Sequence, residues 1–469
     1  MKIDQIYTGC LAEAAYYIES NGEAVIIDPL RDIEEYLDKA KADNAKIKYI
    51  FLSHFHADFM AGHQDLAKAT GATIVVGPTE APIGYEAHIG TDNELFKVGD
   101  ITLKLLHTPG HTTESICLLL IDENGKEKCL FSGDTLFIGD VGRPDLAQKV
   151  VADLTQDKLA RMMFHSLRNK IMPLADDIIV YPNHGAGSPC GKNMSSETFD
   201  TLGNQKKTNY CLRPDQTEDE FVAELLDGLK EPPAYFPSMV IGNIKGTESI
   251  DVVRERAGKA LSPKAFSGAH TEDVILLDVR SAKEFVDGFV PGSFNIDLDS
   301  SFAIWAGTIL RDVNAKILLV TPVGREAETI DRLARVGFDG VIGYLEGGFE
   351  AWKAAGNDVD NMPTVTAKDL ADKADANIID VRRESEFFSE RIKTAENMPL
   401  NNYWDHYSKI DKDKTYYVHC RSGNRSAIFA SIMRSKGFDN LINVASSFDE
   451  LKELGTFEVT DYVCPSTML

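Results

Sequence analysis

Apolar and polar positions along the first half of the chain fall into short runs separated by turns. Ile47, Tyr49, Ile50, Phe51 and Leu52 form one buried-strand run, and Glu23-Ala24-Val25-Ile26-Ile27 forms another that turns at Asp28-Pro29. Ala72-Thr73-Ile74-Val75-Val76 stops at Gly77, and residues 101–106 alternate as a half-buried strand does. Between these runs, residues 32–41 repeat with the helical period. Cys129-Leu130-Phe131 and Ile178-Ile179-Val180-Tyr181 add two more strands. The pattern predicts strands alternating with turns and helices over residues 1–250, a layered domain of mixed α and β structure.

Four of these runs lead into side chains able to hold a metal. His54-Phe55-His56-Ala57-Asp58 follows the run ending at Leu52, and His111 follows the alternating strand. Asp134 follows Phe131-Ser132-Gly133, and His184 follows Tyr181-Pro182-Asn183. Strand ends are where α/β proteins place ligands. Taken alone, His54, His56 and Asp58 are a polar loop; the recurrence downstream argues for one shared site.

Beyond residue 262 the chain repeats itself. Ile275-Leu276-Leu277-Asp278-Val279-Arg280 with Glu284-Phe285 is mirrored by Ile378-Ile379-Asp380-Val381-Arg382 with Glu386-Phe387. Ile317-Leu318-Leu319-Val320-Thr321 answers Tyr416-Tyr417-Val418-His419. A period of about 100 residues means tandem domains rather than a solenoid, and strands alternating with helices predict small parallel sheets. The expected domains are 1–250, 262–358 and 363–469. Pro232-Pro233, Pro237, Gly242, Gly246 and Gly258 predict a linker over about residues 230–262, wrapped on the first domain.

Composition narrows the function classes. A net charge of −24 over 469 residues argues against nucleic-acid and anionic-membrane partners, whose phosphates need a basic face. No stretch approaches a membrane span, and the first residues carry no apolar leader core. Seven cysteines spread over the chain are not a disulfide framework and read as cytosolic thiols, so a cytoplasmic location is expected.

The set Asp28, His54-x-His56-x-Asp58, His111, Asp134 and His184 resembles the metallo-β-lactamase superfamily, which implies an αββα sandwich with metals at one edge. That family's two-metal pattern has a histidine after Asp58; here stands Phe59, which favours a mononuclear centre. Phe131-Ser132-Gly133-Asp134-Thr135, Gly142-Arg143-Pro144-Asp145 and His184-Gly185-Ala186-Gly187-Ser188 resemble the persulfide dioxygenase branch. The resemblance implies Fe(II) bound by His54, His111 and Asp134, two histidines and a carboxylate with open positions. It leaves His56, Asp58 and His184 as a supporting shell or a vestigial second metal site. Zn(II) is the alternative cofactor, in a thioester hydrolase of glyoxalase II type. Arg143 either meets an anionic thiol substrate or pairs with Asp145. Cys190, six residues after His184, is either a persulfide carrier or an ordinary loop thiol.

The two C-terminal copies resemble rhodanese domains. Leu345-Glu346-Gly347-Gly348-Phe349-Glu350-Ala351-Trp352 is that family's closing signature in the first copy, reduced to Val444-Ala445-Ser446-Ser447-Phe448 in the second. The second keeps the reactive loop Cys420-Arg421-Ser422-Gly423-Asn424-Arg425-Ser426, where the first has Thr321-Pro322-Val323-Gly324-Arg325 and no thiol. Backbone N–H groups curling at a helix start stabilise a thiolate, and Arg421 and Arg425 add positive charge for anionic sulfur donors. The Cys–Arg spacing is one residue shorter than in tyrosine phosphatases, which suits sulfur better than phosphate. The resemblance implies a persulfide dioxygenase with an appended sulfurtransferase in sulfide detoxification, with persulfides and sulfite as small-molecule partners and a homodimer or homotetramer as the assembly.

Overall fold

The structure, a computed structural model, describes residues 1–146, 154–192, 194–229, 231–373 and 375–463. The chain divides into two compact units, Met1–Val253 with Leu333–Gly337, and Arg254–Arg332 with Phe338–Leu469. In the first, β1 (Lys2–Thr8), β2 (Glu13–Ser20), β3 (Glu23–Ile27), β4 (Lys46–Phe51), β5 (Thr73–Val76) and β6 (His88–Ile89) form one sheet in chain order. A second sheet follows, also in chain order: β7 (Leu95–Val98), β8 (Ile101–His107), β9 (Ile116–Ile121), β10 (Glu127–Gly133), β11 (Ile179–Pro182) and β12 (Asp200–Thr201).

β2 shows why the sheets stack. Ala14, Tyr16 and Ile18 project to one face and Ala15 and Tyr17 to the other, all fully buried, so both faces need cover. The inner face meets Leu103, Leu105, Leu118 and Phe131 of the second sheet. The outer face meets Tyr36, Ala40 and Leu66 from the helices Glu34–Ala42 and His63–Thr70. The second sheet turns Leu119, Leu130 and Val180 outward onto Ala160, Met163, Phe221 and Leu225 of the helices Gln156–Ser166 and Glu218–Leu226. The result is the αββα sandwich that the family resemblance implies.

The expected linker packs on the first domain as far as Val253, but residues 231–262 are largely helical. They hold the helices Phe236–Lys245 and Ile250–Ala257. Pro237 sits in the first turn of the former, where a missing N–H costs nothing, and Gly246 at φ +87° ends it. The punctuation that suggested a linker is helix capping.

In the second unit, β13 (Ala260–Leu261), β14 (Val274–Asp278), β15 (Phe294–Asn295), β16 (Lys316–Val320) and β17 (Val341–Leu345) form a parallel sheet in the order β13-β17-β16-β14-β15. β18 (Thr364–Val365), β19 (Asn377–Asp380), β20 (Glu396–Asn397), β21 (Tyr416–His419) and β22 (Leu441–Val444) repeat that order strand for strand. The closing signature that looks degraded in the second copy keeps its structural role. Arg280 stacks on Phe349 at 4.1 Å in the first copy, and Arg382 on Phe448 at 3.9 Å in the second. The copies are joined by a bidentate Arg434–Asp360 pair and by Arg311 stacked on Trp404. Among the described residues, no helix is long and apolar enough to cross a membrane.

Candidate metal centre and thiol loop

The loops that follow β4, β8, β10 and β11 bring four side chains to one edge of the sandwich. Gly133 ends β10 at φ +52°, and a side chain there would meet Ser53, so only glycine lets β10 deliver Asp134 beside His54. Gly142 serves the same end: a Cβ would collide with the Asp134 carbonyl and the His111 ring.

Each histidine is fixed through Nδ1. His54 Nδ1 lies 2.9 Å from Ser53 Oγ, His111 Nδ1 donates to the Arg143 carbonyl at 2.8 Å, and His184 Nδ1 donates to the Ala12 carbonyl at 3.0 Å. The Nε2 atoms converge on Asp134. His111 Nε2 is 3.4 Å and His54 Nε2 3.9 Å from Asp134 Oδ2, while His184 Nε2 is 3.6 Å from Oδ1. These separations are long for hydrogen bonds but natural for donors surrounding a cation. Among the described residues, neither Asp134 oxygen has a hydrogen-bond partner, although the residue is buried. A buried carboxylate without a partner is costly, and a cation removes the cost. Burial, with the neighbouring imidazoles, holds His54 well below the usual histidine pKa, so it presents a lone pair. The residues fit a metal.

His54, His111 and Asp134 form one group of donors. Asp58, His184 and Cys190 form a second, with donor atoms all within 4.8 Å of one another. Cys190 is 1% exposed and its thiol is pushed up by burial and by the Asp58 and Asp134 carboxylates. It lies inside the site. Arg143 makes a bidentate pair with Asp145, 2.6 Å in both arms, and its backbone N–H holds the Cys190 carbonyl at 2.9 Å.

His56 belongs to neither group. Its Nε2 is 2.8 Å from Asp28 Oδ1, and Phe59 stacks on its ring at 4.2 Å. Burial alone would lower the His56 pKa, but the Asp28 carboxylate outweighs it and raises the net value. Asp28 also accepts from Ser53 N–H at 2.7 Å and Asn183 Nδ2 at 2.5 Å. Despite burial, these partners and His56 leave it below the usual carboxylate pKa.

In the second unit, Cys420 follows β21 and is fully buried. Gly423 N–H donates to its Sγ at 3.1 Å, and Gly423 itself, at φ +91°, passes too close to the Ala445 carbonyl for a side chain. The helix Asn424–Ser435 starts there, with Gly423 as its N-cap, so the sulfur lies close to a helix N-terminus, whose dipole favours a thiolate. Arg425 is not loose: both of its terminal nitrogens hold Glu386, at 2.6 and 2.9 Å. Arg421 is exposed and 3.2 Å from Asp449. In the first copy Gly324 keeps the loop turn at φ +87°, while Arg325 is tied to Asp299 and Glu328 and no sulfur is present.

Comparison with known proteins agrees with both units. The metallo-beta-lactamase superfamily model matches residues 8–184, and the rhodanese-like domain model matches 264–355 and 364–454. A crystal structure of a metallo-beta-lactamase from Staphylococcus aureus subsp. aureus COL is 32% identical, covering 74% of this chain and 99% of its own, with a TM-score of 0.65. This chain belongs to the metallo-beta-lactamase superfamily. A probable hydroxyacylglutathione hydrolase, glo2, from Schizosaccharomyces pombe is 29% identical over 200 residues, 42% of this chain and 72% of the relative. The structure of ETHE1 from Myxococcus xanthus is 23% identical, covering 52% of this chain and 99% of its own, with a TM-score of 0.44. The protein is thus a metal enzyme of the metallo-beta-lactamase fold, with a His/Asp metal site and two rhodanese-like domains.

One supporting residue of this superfamily member carries no sequence signal. Asn243, in the helix Phe236–Lys245, donates to the His56 and Phe59 carbonyls at 2.9 and 2.8 Å and accepts from Ala61 N–H at 2.9 Å. Tyr235 from the same segment donates to the Asp58 carbonyl at 3.2 Å. Both lie in the stretch that resembles a linker.

Proposed function

We propose that the protein is an iron-dependent persulfide dioxygenase coupled to sulfur transfer at Cys420. The reading is carried by the donor group His54, His111 and Asp134, two histidines and one carboxylate whose ligand atoms all lie within 4.8 Å of one another. That donor set suits Fe(II) with open positions for substrate and O₂. When bound, the iron supplies the one place where O₂ and a persulfide sulfur are brought together. The chain's residues do the rest. Ser53 and the Arg143 carbonyl fix the His54 and His111 rings, and the buried surroundings exclude bulk water.

The overall reaction is RSSH + O₂ + H₂O giving RSH, sulfite and two protons, with R a low-molecular-weight thiol. At the second site, a sulfane sulfur carried as a Cys420 persulfide passes to sulfite. The S–S bond breaks, thiosulfate leaves and the Cys420 thiol is restored. The product of one site is then the acceptor at the other. The hydrolase alternative is favoured by the likeness to glo2 from Schizosaccharomyces pombe; it replaces iron with zinc and O₂ consumption with thioester cleavage.

Paired variants test the two-site reading. His111→Ala is expected to abolish O₂ uptake and sulfite release while sulfur transfer at Cys420 persists. Cys420→Ser is expected to do the reverse. Loss of O₂ uptake in Cys420→Ser would contradict it.

A further inference from the structure

The two C-terminal copies repeat one another closely where their central strands end, except at one position. In the first copy Asp278 of β14 pairs in register with Val320; in the second Asp380 of β19 pairs with His419. Each aspartate holds the arginine two residues on, Arg280 or Arg382, through its Nε and one terminal nitrogen. Asn295 donates to the Asp278 and Arg280 carbonyls, and Asn397 donates likewise to those of Asp380 and Arg382. Val279 N–H holds the Val320 carbonyl at 2.9 Å, as Val381 N–H holds that of His419 at 3.0 Å. The fold therefore closes with valine at this place. Both side chains are fully buried, and the imidazole brings two polar nitrogens where valine has none, which is costly unless they are used. What the second copy has beside this position, and the first lacks, is the Cys420 thiol.

The surroundings of His419 show how it is used. Its ring lies parallel to that of Phe448, with centroids 5.9 Å apart. Its Nε2 is 3.6 Å from Asp380 Oδ2, too far for a hydrogen bond, and that oxygen already accepts from Arg382. Burial holds the ring below the usual histidine pKa, so it is neutral and has one N–H to give. It makes a backbone hydrogen bond with Cys420, where the acceptor is the carbonyl. In a planar trans peptide the next N–H, that of Arg421, points away from that carbonyl. We propose that His419 is a positioning residue for sulfur transfer: its N–H draws the Cys420 carbonyl back and so turns the Arg421 N–H toward the sulfur that Gly423 N–H already meets. A sulfane sulfur on Cys420 then has a second backbone donor. In loading, the Cys420 thiolate attacks the outer sulfur of thiosulfate, the S–S bond breaks, and sulfite leaves with the electron pair. A nucleophile such as cyanide then takes the outer sulfur of the persulfide as thiocyanate, and the thiolate returns. The inference rests on the sulfur-transfer part of the proposed function and not on the metal.

Thiocyanate formation from thiosulfate and cyanide by the full-length protein tests the role, with Cys420→Ser giving the background rate. His419→Val, which installs what the first copy carries at this place, is expected to slow turnover by about 10-fold, what one hydrogen bond of ordinary strength is worth. Its urea midpoint is expected to stay at or above that of the wild type. His419→Asn, whose side-chain amide keeps an N–H near the position of the ring Nδ1, is expected to recover most of the rate. Wild-type turnover in His419→Val, or an equal loss in both variants, overturns the proposal. A wild-type protein that forms no thiocyanate overturns the sulfur-transfer reading and this inference with it, so the two failures are distinguishable.

Discussion

Asp28 Oδ1 and His56 Nε2 are 2.8 Å apart at the floor of the metal centre, both buried. That hydrogen bond fixes the orientation of the His56 ring. Asp28 also holds Ser53 N–H, and Ser53 Oγ in turn fixes His54. Asp28→Asn keeps the shape, and asparagine tolerates the residue's φ of +51°. It removes the charge that holds His56 and upsets the donor–acceptor pattern. The expected outcome is metal affinity at the first group lower by about 10- to 100-fold, read by competition with a chelator.

The Asn243 side chain ties three backbone groups of the ligand loop, the His56 and Phe59 carbonyls and the Ala61 N–H. Asn243→Ala leaves all three buried and unsatisfied. A loss of about 3 kcal/mol or more is expected in chemical denaturation, at roughly 1–3 kcal/mol per orphaned group. Metal affinity is expected to fall with it, because the same loop carries His54 and Asp58.

The contrast between Asn243 and His54 shows what the sequence discloses. His54, His111, Asp134 and His184 each follow a strand whose apolar run is visible, so the direction of the strand announces the site edge. Asn243 sits where Pro237 and Gly246 punctuate the chain, and the same residues serve as helix start and helix end or as a linker; only the tertiary contacts decide. Phe448 is legible only by analogy, because its role as a platform for Arg382 survives after the surrounding signature is lost. Cys190 is legible as a residue near His184. Its convergence with Asp58 depends on the loop held by Arg143, which no local pattern encodes.

His63 supplies a pH prediction. Its ring is buried against Tyr85, and burial lowers its pKa from 6.5 to about 3. Above its unfolded pKa the residue is neutral in both states. As pH falls below 6.5, the unfolded chain takes up a proton that the folded chain refuses, so stability declines until about pH 3. The slope approaches about 1.4 kcal/mol per pH unit. His63→Phe removes it. Between about pH 7 and about pH 5, the wild-type protein is expected to lose roughly 2 kcal/mol more than the variant in urea denaturation.

The most direct test of the proposed activity is O₂ uptake by protein purified anaerobically and loaded separately with Fe(II) and Zn(II), using a low-molecular-weight thiol persulfide and a glutathione thioester as substrates. The account predicts that only the iron form consumes O₂, equimolar with the sum of sulfite and thiosulfate formed, and that the zinc form consumes none. A zinc form that cleaves the thioester, beside an iron form that takes up no O₂, would contradict it.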